Sequence, residues 1–364
     1  MRLAVGSILL LLLMAFQWEK PSEEPMFFEM AEEWKQVVND DQLIEFSGKD
    51  TFEIHQVRLL SDENKRPLLF FSDLETGVCA DGECKLANIK IYWNLLGNYV
   101  GYGIYPDLPL TKFEHDPFTS QDYQKLHQLL GDQNSILRRK EMDELVDKVP
   151  IKSRKARKRD IDGMSAATKR DIKEAVVEGG LYSCYTLWHL VYGEAQTKMK
   201  HVLDSIQSDE LNQYFLYSEY ADYRSYALKQ MDESHFLGHA EQVVKIFEES
   251  QPLVRTYLLK KVPGPFLADE KVSQRLYKSF PGVDVNTRTQ LIKKLDMAHP
   301  MAAELLSENL SEMTSNQLKL YLAHLKDSGQ SLSELVKTNL QSQAAKRQYT
   351  YSFMIEEFLK SNGL

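Results

Sequence analysis

A chain of 364 residues is long enough for two domains, each with a core of its own. Its apolar share of 43% and charged share of 27% are typical of a globular protein and argue against a disordered chain or a membrane protein. The net charge of -9 argues against a general nucleic-acid binder, because such a protein neutralises phosphates with a basic surface.

The first twenty residues predict an export signal. Arg2 is followed by a largely apolar run from Leu3 to Phe16, which ends in the polar segment Gln17–Pro21. A run this short, behind a charged residue, is typical of a secretory signal. We expect a signal peptide at 1–20 and an exported protein, periplasmic or tethered to the outer face of the cytoplasmic membrane. An uncleaved anchor stays open, since no clear small-x-small cleavage pattern follows the run.

Residues 26–197 predict a mixed α/β domain. Alternating and apolar runs predict strands at Thr51–Leu60, at Pro67–Phe71, and as a pair within Ile89–Ile104 joined by a tight turn at Gly97-Asn98. Helical periodicity predicts helices at Met26–Val38, Ser120–Leu130 (with Ser120 as its cap), Ile136–Asp147 and Ala166–Gly193, with a bend at Gly179-Gly180.

Residues 198–364 predict an all-α domain, so the expected fold class is α+β. Almost no strand pattern occurs beyond Glu194, and prolines and glycines separate amphipathic segments. The predicted helices are Leu211–Lys229, Ala240–Ser250, Leu253–Lys261, Glu270–Ser279, Thr287–Leu295, Ala302–Leu310, Ser315–Lys326, Ser331–Gln341 and Tyr349–Lys360. Their spacing suggests antiparallel helix pairs stacked as in a helical-repeat protein, although no residue identity recurs at a fixed period.

The three cysteines are too few for a disulfide-stapled scaffold. Cys79 and Cys84 lie close enough in sequence for a disulfide that closes a small loop around the turn residues Asp81-Gly82, and that bond stays open because geometry decides it. Cys184 is expected to be buried on its helix.

The segment Asp162–Lys169 carries the chemistry that we expect. Ser165 is a good N-cap, and small residues up to Ala167 leave the first backbone N–H groups of the following helix accessible. Free donors at the positive end of a helix bind anions such as phosphate, beside which the Thr168 hydroxyl would lie, with Lys169 adding positive charge. A well-capped helix without a ligand is the alternative on these grounds. The basic stretch Pro150–Arg159 is either a solvated loop or a positive lip beside the same site.

The pattern Asp-x-x-Ser-x-Ala-Thr at 162–168 resembles the flavinylation motif of FMN-binding domains in extracytoplasmic electron-transfer proteins, such as subunits of sodium-pumping NADH:quinone oxidoreductases. The resemblance implies that a dedicated flavin transferase joins the Thr168 hydroxyl to the phosphate of FMN. Asp162 matches the leading acidic residue. Ala166 departs from the pattern, because the family usually has glycine there.

Further segments resemble the same group, so that the likeness covers about residues 75–193: Trp93–Tyr102, Leu110–Lys112, His115 and Ala175–His189. A flavin ring is flat and needs aromatic or aliphatic walls, for which the candidates are Trp93, Tyr99, Tyr102, Tyr185 and Trp188, each more often a core residue. Thr111 and Lys112 lie in a proline-bounded loop. A cation such as Lys112 beside the N1–C2=O edge of the ring would stabilise reduced flavin.

The resemblance implies an exported electron carrier rather than a stand-alone catalyst. Its partners would be a flavin transferase for maturation and a membrane or periplasmic redox protein. No catalytic or metal-ligating residue is predicted, since the common hydrolase, nucleotide-binding and zinc patterns do not occur. The alternative is an exported interaction scaffold whose helical half binds protein partners and whose other half carries no flavin. A third reading is a thiol–disulfide protein that uses Cys79 and Cys84.

Overall fold

A computed structural model describes residues 34, 43–49, 53–78, 85–112, 115–145, 170–328, 331–346 and 348–363. The chain divides into an N-terminal unit, residues 1–206, and a C-terminal unit, residues 207–364. The first contains a sheet and helices and the second only helices among its described residues, which confirms the α+β class. The expected signal peptide, the Cys79–Cys84 pair, the basic stretch and nearly all of the helix predicted at Met26–Val38 lie outside the described residues.

The N-terminal unit is built on a five-stranded antiparallel sheet in which each strand pairs with the next along the chain. Its strands are β1 Leu43–Ser47, β2 Ile54–Ser61, β3 Pro67–Thr76, β4 Ala87–Asn94 and β5 Tyr99–Ile104. The four strands predicted from alternation are therefore confirmed. The short edge strand β1 was missed, because five residues give little alternation to recognise.

Alternation explains which face of the sheet is buried. Every second side chain of β2 is buried, beginning with His55 and Val57. The end of β4 is buried on both faces, from Ile91 to Asn94. This part of the sheet is therefore covered on both sides.

The turn between β4 and β5 lies where the sequence predicts it. Gly97 has a φ of +76°, a left-handed conformation that glycine adopts without steric cost. The side-chain oxygen of Asn94 accepts hydrogen bonds from the backbone N–H groups of Leu96 and Asn98, each at 3.0 Å. Asn94 therefore satisfies the donors that the tight turn leaves unpaired.

The described residues of the N-terminal unit also form four α-helices: α1 Ser120–Gly131, α2 Arg170–Ala175, α3 Leu181–Tyr192 and α4 Glu194–Ser205. The predicted boundary between 197 and 198 lies inside α4. Thr119, not Ser120, caps α1 and forms a capping box with Asp122.

Two helix predictions in this unit were wrong. The helix predicted at Ile136–Asp147 is two 3-10 turns, at Ile136–Arg139 and Met142–Glu144. The helix predicted at Ala166–Gly193, with a bend at Gly179-Gly180, is instead broken there into α2 and α3. Gly179 has a φ of +78° there, which a helix cannot contain.

The C-terminal unit contains twelve described α-helices: α5 Asp209–Tyr217, α6 Ala221–Gln230, α7 Glu233–Gly238, α8 Ala240–Glu249, α9 Pro252–Lys261, α10 Gly264–Ala268, α11 Glu270–Lys278, α12 Val285–Lys293, α13 Met301–Ser307, α14 Ser315–Asp327, α15 Glu334–Ala344 and α16 Ser352–Ser361. The predicted helix Leu211–Lys229 is split, because Ser218 takes an extended conformation that ends α5. The sequence analysis missed the short helices α7 and α10. In the described parts of the chain no helix is both long and apolar enough to cross a membrane.

Side chains of α4 bind the edge strand β1. The Oε2 atom of Glu194 accepts hydrogen bonds from the backbone N–H and the hydroxyl of Ser47, each at 2.8 Å. Its Oε1 atom lies 2.8 Å from Lys198 Nζ, which also donates to the carbonyl of Glu45. These bonds pair backbone groups that an edge strand otherwise exposes.

The hydrogen bond from Lys198, followed by those from Ser47, lowers the pKa of Glu194 to about 2. A carboxyl group whose pKa is lowered by folding stabilises the fold at pH values above its unfolded pKa near 4.5. This contribution is lost as the pH falls toward 2. We expect Glu194→Gln to be less stable than the wild type at pH 6, with the difference shrinking between pH 4.5 and 2. Urea titrations of both proteins across this range check it, and a difference independent of pH would contradict it.

Candidate functional site

Five of the predicted site residues, Asp162, Ser165, Ala167, Thr168 and Lys169, lie outside the described residues. The description resumes at Arg170, where α2 begins, two residues after Thr168. Two residues of chain span at most about 7 Å, so only a short stretch of chain joins the motif to the start of α2. Helix α2 packs on the 3-10 turn Ile136–Arg139.

Thr111 and Lys112 lie at the base of a loop that folds back on itself. Thr111 pairs with Pro117 in an isolated β-bridge, and the backbone N–H of Lys112 donates to Asp116. The carbonyl of Thr111 accepts a 3.4 Å hydrogen bond from the Ser183 hydroxyl on α3. The loop is therefore held against the first turn of α3.

The ammonium of Lys112 lies 2.7 Å from Asp122 Oδ2. Burial raises the pKa of Asp122, but the hydrogen bonds from Lys112 and Thr119 outweigh it and hold that pKa below its ordinary value. Asp122 is therefore ionised at neutral pH and neutralises Lys112. Lys112 is thus paired at the capped end of α1. A flavin ring beside Lys112 would therefore meet less net positive charge than one beside an unpaired lysine.

Tyr102 is fully buried, and its hydroxyl donates to the carbonyl of Tyr123 at 2.7 Å. Burial raises its pKa well above the ordinary value. Trp93 is equally buried, and its indole N–H donates to the carbonyl of Val191 at 3.1 Å. Both rings contribute to the core of the unit, and neither has a face open to a ligand.

The aromatic residues of α3 hold the segment 130–140 in place. Tyr192, Trp188 and Tyr185 donate to the carbonyls of Leu130, Asp132 and Lys140, at 2.6, 3.0 and 3.2 Å. Carbonyls at the end of α1 and of the 3-10 turn have no partner within their own helix, and these donors supply one. This bonding positions the segment beside the C-terminal half of α3.

A cavity of about 280 Å³ lies between α3 and this segment. Its described lining residues are Lys49, Gln133, Arg138, Trp188, His189, Tyr192 and Gln196. Its aromatic side is formed by Trp188 and His189, which are buried at its base, and by the half-buried Tyr192. The ring of His189 lies 4.9 Å from that of Trp188. The carboxamide nitrogen of Gln196 donates to Gly97, so its oxygen is the atom that can accept a hydrogen bond from a ligand.

The cavity is electropositive. Two of the lining residues that the structure describes are cations, and none of these described residues is a carboxylate. Lys49 also donates to Glu141 Oε1 at 3.0 Å, whereas Arg138 forms no ion pair with any residue of the described ranges. Ligand pockets typically measure about 300–1,000 Å³, so this one fits a small ring system rather than a whole nucleotide. Aromatic walls, amides and cations fit a flat ring with an electron-rich polar edge, such as that of FMN.

Of the described cavity residues, only Trp188 was predicted from the sequence as a candidate ring contact. His189 is the last residue of a segment that resembles the FMN-binding group, but its sequence position does not identify it as a cavity residue. No sequence pattern identifies Lys49, Gln133 and the pair Tyr192 and Gln196, because they come from three separate segments that only the fold brings together. The basic pair Arg138-Arg139 was the one available signal, although it lay in a segment predicted to be a plain helix.

Comparisons of this chain with protein-family models, with curated proteins and with solved structures find no match.

Proposed function

We propose that this chain is an exported flavoprotein that carries FMN bonded to Thr168 and relays electrons outside the cytoplasm. The resemblance of 162–168 to a flavinylation motif is the origin of the proposal. The chain would position the cofactor and adjust its electrostatics, and the C-terminal unit would bind the redox partner.

One observation carries the proposal: the separate segments that resemble the FMN-binding group pack together. The indole N–H of Trp93 donates a hydrogen bond to the carbonyl of Val191, which lies just beyond the resembling segment Ala175–His189. Within that segment, the hydroxyl of Ser183 donates to the carbonyl of Thr111. A Cβ atom on Gly180 would lie 3.0 Å from the ring of Phe118, so the same segment also contacts the loop after Lys112 closely. Segments about 70 to 100 residues apart thus form one core, as a shared cofactor domain requires.

The attachment step transfers a flavin phosphate to Thr168. With a flavin dinucleotide as donor, the Thr168 oxygen forms a phosphoester, the phosphoanhydride breaks, AMP leaves, and the hydroxyl proton passes to solvent. The bonded FMN would supply reversible oxidation and reduction, taking electrons from one protein partner and passing them to another. A covalent bond prevents loss of the cofactor from an exported protein.

Thr168→Ala is expected to abolish covalent flavin. The full chain would be co-expressed with a flavin transferase in an exporting host and examined by intact mass and by visible absorption after denaturation. The wild type should gain the mass of FMN less one water and retain its yellow colour, whereas Thr168→Ala should show the mass of the bare chain.

Thr197→Ala is a matched control, because Thr197 is exposed on α4 and lies outside the motif. This variant should be modified like the wild type. A wild type that keeps the bare-chain mass beside a modified positive-control protein would overturn the proposal and favour the interaction scaffold.

A further inference from the structure

We infer that the cavity between α3 and residues 133–138 receives the isoalloxazine ring of the flavin, with Arg138 as the cation beside its polar edge. The inference rests on the proposed attachment at Thr168 and names the residues that would position the ring. Arg138 replaces Lys112 as the expected source of positive charge, because Lys112 pairs with Asp122.

The route of the chain supports this placement. Helix α2 begins two residues after Thr168 and packs on the 3-10 turn that carries Arg138. That turn also packs on α3, whose Trp188 and Tyr192 line the cavity. The attachment residue is thus tied by a short stretch of chain to one wall of the cavity.

The size of the cavity supports the same conclusion. Its volume of about 280 Å³ accommodates a fused ring and leaves the ribityl phosphate outside. A flavin attached through its phosphate can place its ring in the cavity and leave the ribityl phosphate outside, because the ring is at its free end.

The charged lining residues predict the direction in which the cavity shifts the midpoint potential of the flavin. Reduction adds negative charge to the N1–C2=O edge of the ring, and a guanidinium beside that edge stabilises the reduced form. Arg138 is exposed and forms no ion pair among the described residues, so its charge is not neutralised by a described carboxylate. Lys49 contributes less, because Glu141 lies 3.0 Å from its ammonium.

Arg138→Gln tests the inference, with Arg139→Gln as the matched control. Arg139 is the next residue of the same turn, is exposed, and is not among the described lining residues. In protein shown by mass to carry flavin, Arg138→Gln should shift the ratio of oxidised to reduced flavin at least tenfold toward oxidised, about 30 mV for a two-electron couple. Arg139→Gln should leave the midpoint potential unchanged.

A second readout locates the ring without reference to its potential. Iodide should quench the fluorescence of the attached flavin less than that of free FMN, and Arg138→Gln should increase the quenching. Equal quenching of attached and free flavin, or equal shifts in potential for both arginine variants, would overturn the inference while leaving the attachment at Thr168 intact.

The cavity is also tested when no flavin is attached. Equilibrium dialysis of free FMN against Thr168→Ala, with and without Arg138→Gln, measures binding at the cavity alone. Saturable binding that Arg138→Gln weakens and Arg139→Gln does not would support the cavity even if the mass experiment fails. Absence of saturable binding to an otherwise folded protein would count against it.

Discussion

Trp93→Ala is expected to lower the free energy of unfolding of the N-terminal unit by about 3–5 kcal/mol. The side chain is fully buried at the end of β4, so its removal leaves a large cavity that the surrounding sheet cannot fill. The variant also leaves the carbonyl of Val191 without its indole donor. Since whole domains are stable by about 5–15 kcal/mol, this one change should remove a large part of the total.

Trp93→Phe separates the two contributions. It keeps most of the buried ring and removes the hydrogen bond to Val191, one of the last carbonyls of α3, which have no partner within the helix. We expect a loss of about 1–3 kcal/mol from the unpaired carbonyl and a small cavity. Urea titrations monitored by circular dichroism measure both variants. A change below 1 kcal/mol for Trp93→Ala would show that Trp93 is not a core residue.

Local patterns were sufficient to predict much of the fold. The alternation of β2 and the glycine turn between β4 and β5 are set by a few neighbouring residues, and both agree with the structure. The prediction of a helix over residues 136–147 was wrong because of a contact with a distant segment. Its described residues form two 3-10 turns, and Tyr185 of α3 donates to Lys140 at the end of the first, so tertiary contacts override the periodicity.

The candidate site was less predictable, because it depends on contacts between distant segments. Aromatic residues were expected to wall a flavin, yet Trp93 and Tyr102 are fully buried in the core and only Trp188 of the five candidates lines the cavity. Lys112 looked available in sequence, but the fold places Asp122 2.7 Å from its ammonium. A charge can be identified from sequence, whereas its neutralisation by a partner ten residues away cannot.

The aromatic residues of α3 have two roles. Tyr185 is fully buried and donates to the end of the 3-10 turn, whereas Tyr192 bonds to α1 and also lines the cavity. The hydroxyl and indole donors of α3 hold the backbone of the segment that carries Arg138. The residues that position the proposed ring site are therefore also residues that stabilise the unit, so variants for functional tests belong at the exposed Arg138 rather than at the aromatic residues.

In the C-terminal unit, Tyr277→Ala is expected to lower the free energy of unfolding by about 3–5 kcal/mol. Tyr277 is fully buried on α11, and its hydroxyl donates to the carbonyl of Leu291 on α12 at 2.9 Å. Burial raises the pKa of Tyr277 well above its ordinary value, so the hydroxyl stays a donor throughout the usual pH range. The ring therefore joins two helices by packing and by a hydrogen bond.

Tyr277→Phe should cost only about 1 kcal/mol, because the carbonyl of Leu291 keeps the hydrogen bond from the backbone N–H of Lys294 at 3.1 Å. The contrast between the two variants distinguishes packing from hydrogen bonding at this position. Hydrogen exchange read peptide by peptide provides the measurement, since it reports α11 and α12 separately from the N-terminal unit. Tyr277→Ala should speed exchange in both helices. Equal effects of the two substitutions would mean that the hydroxyl, rather than the buried ring, holds these helices together.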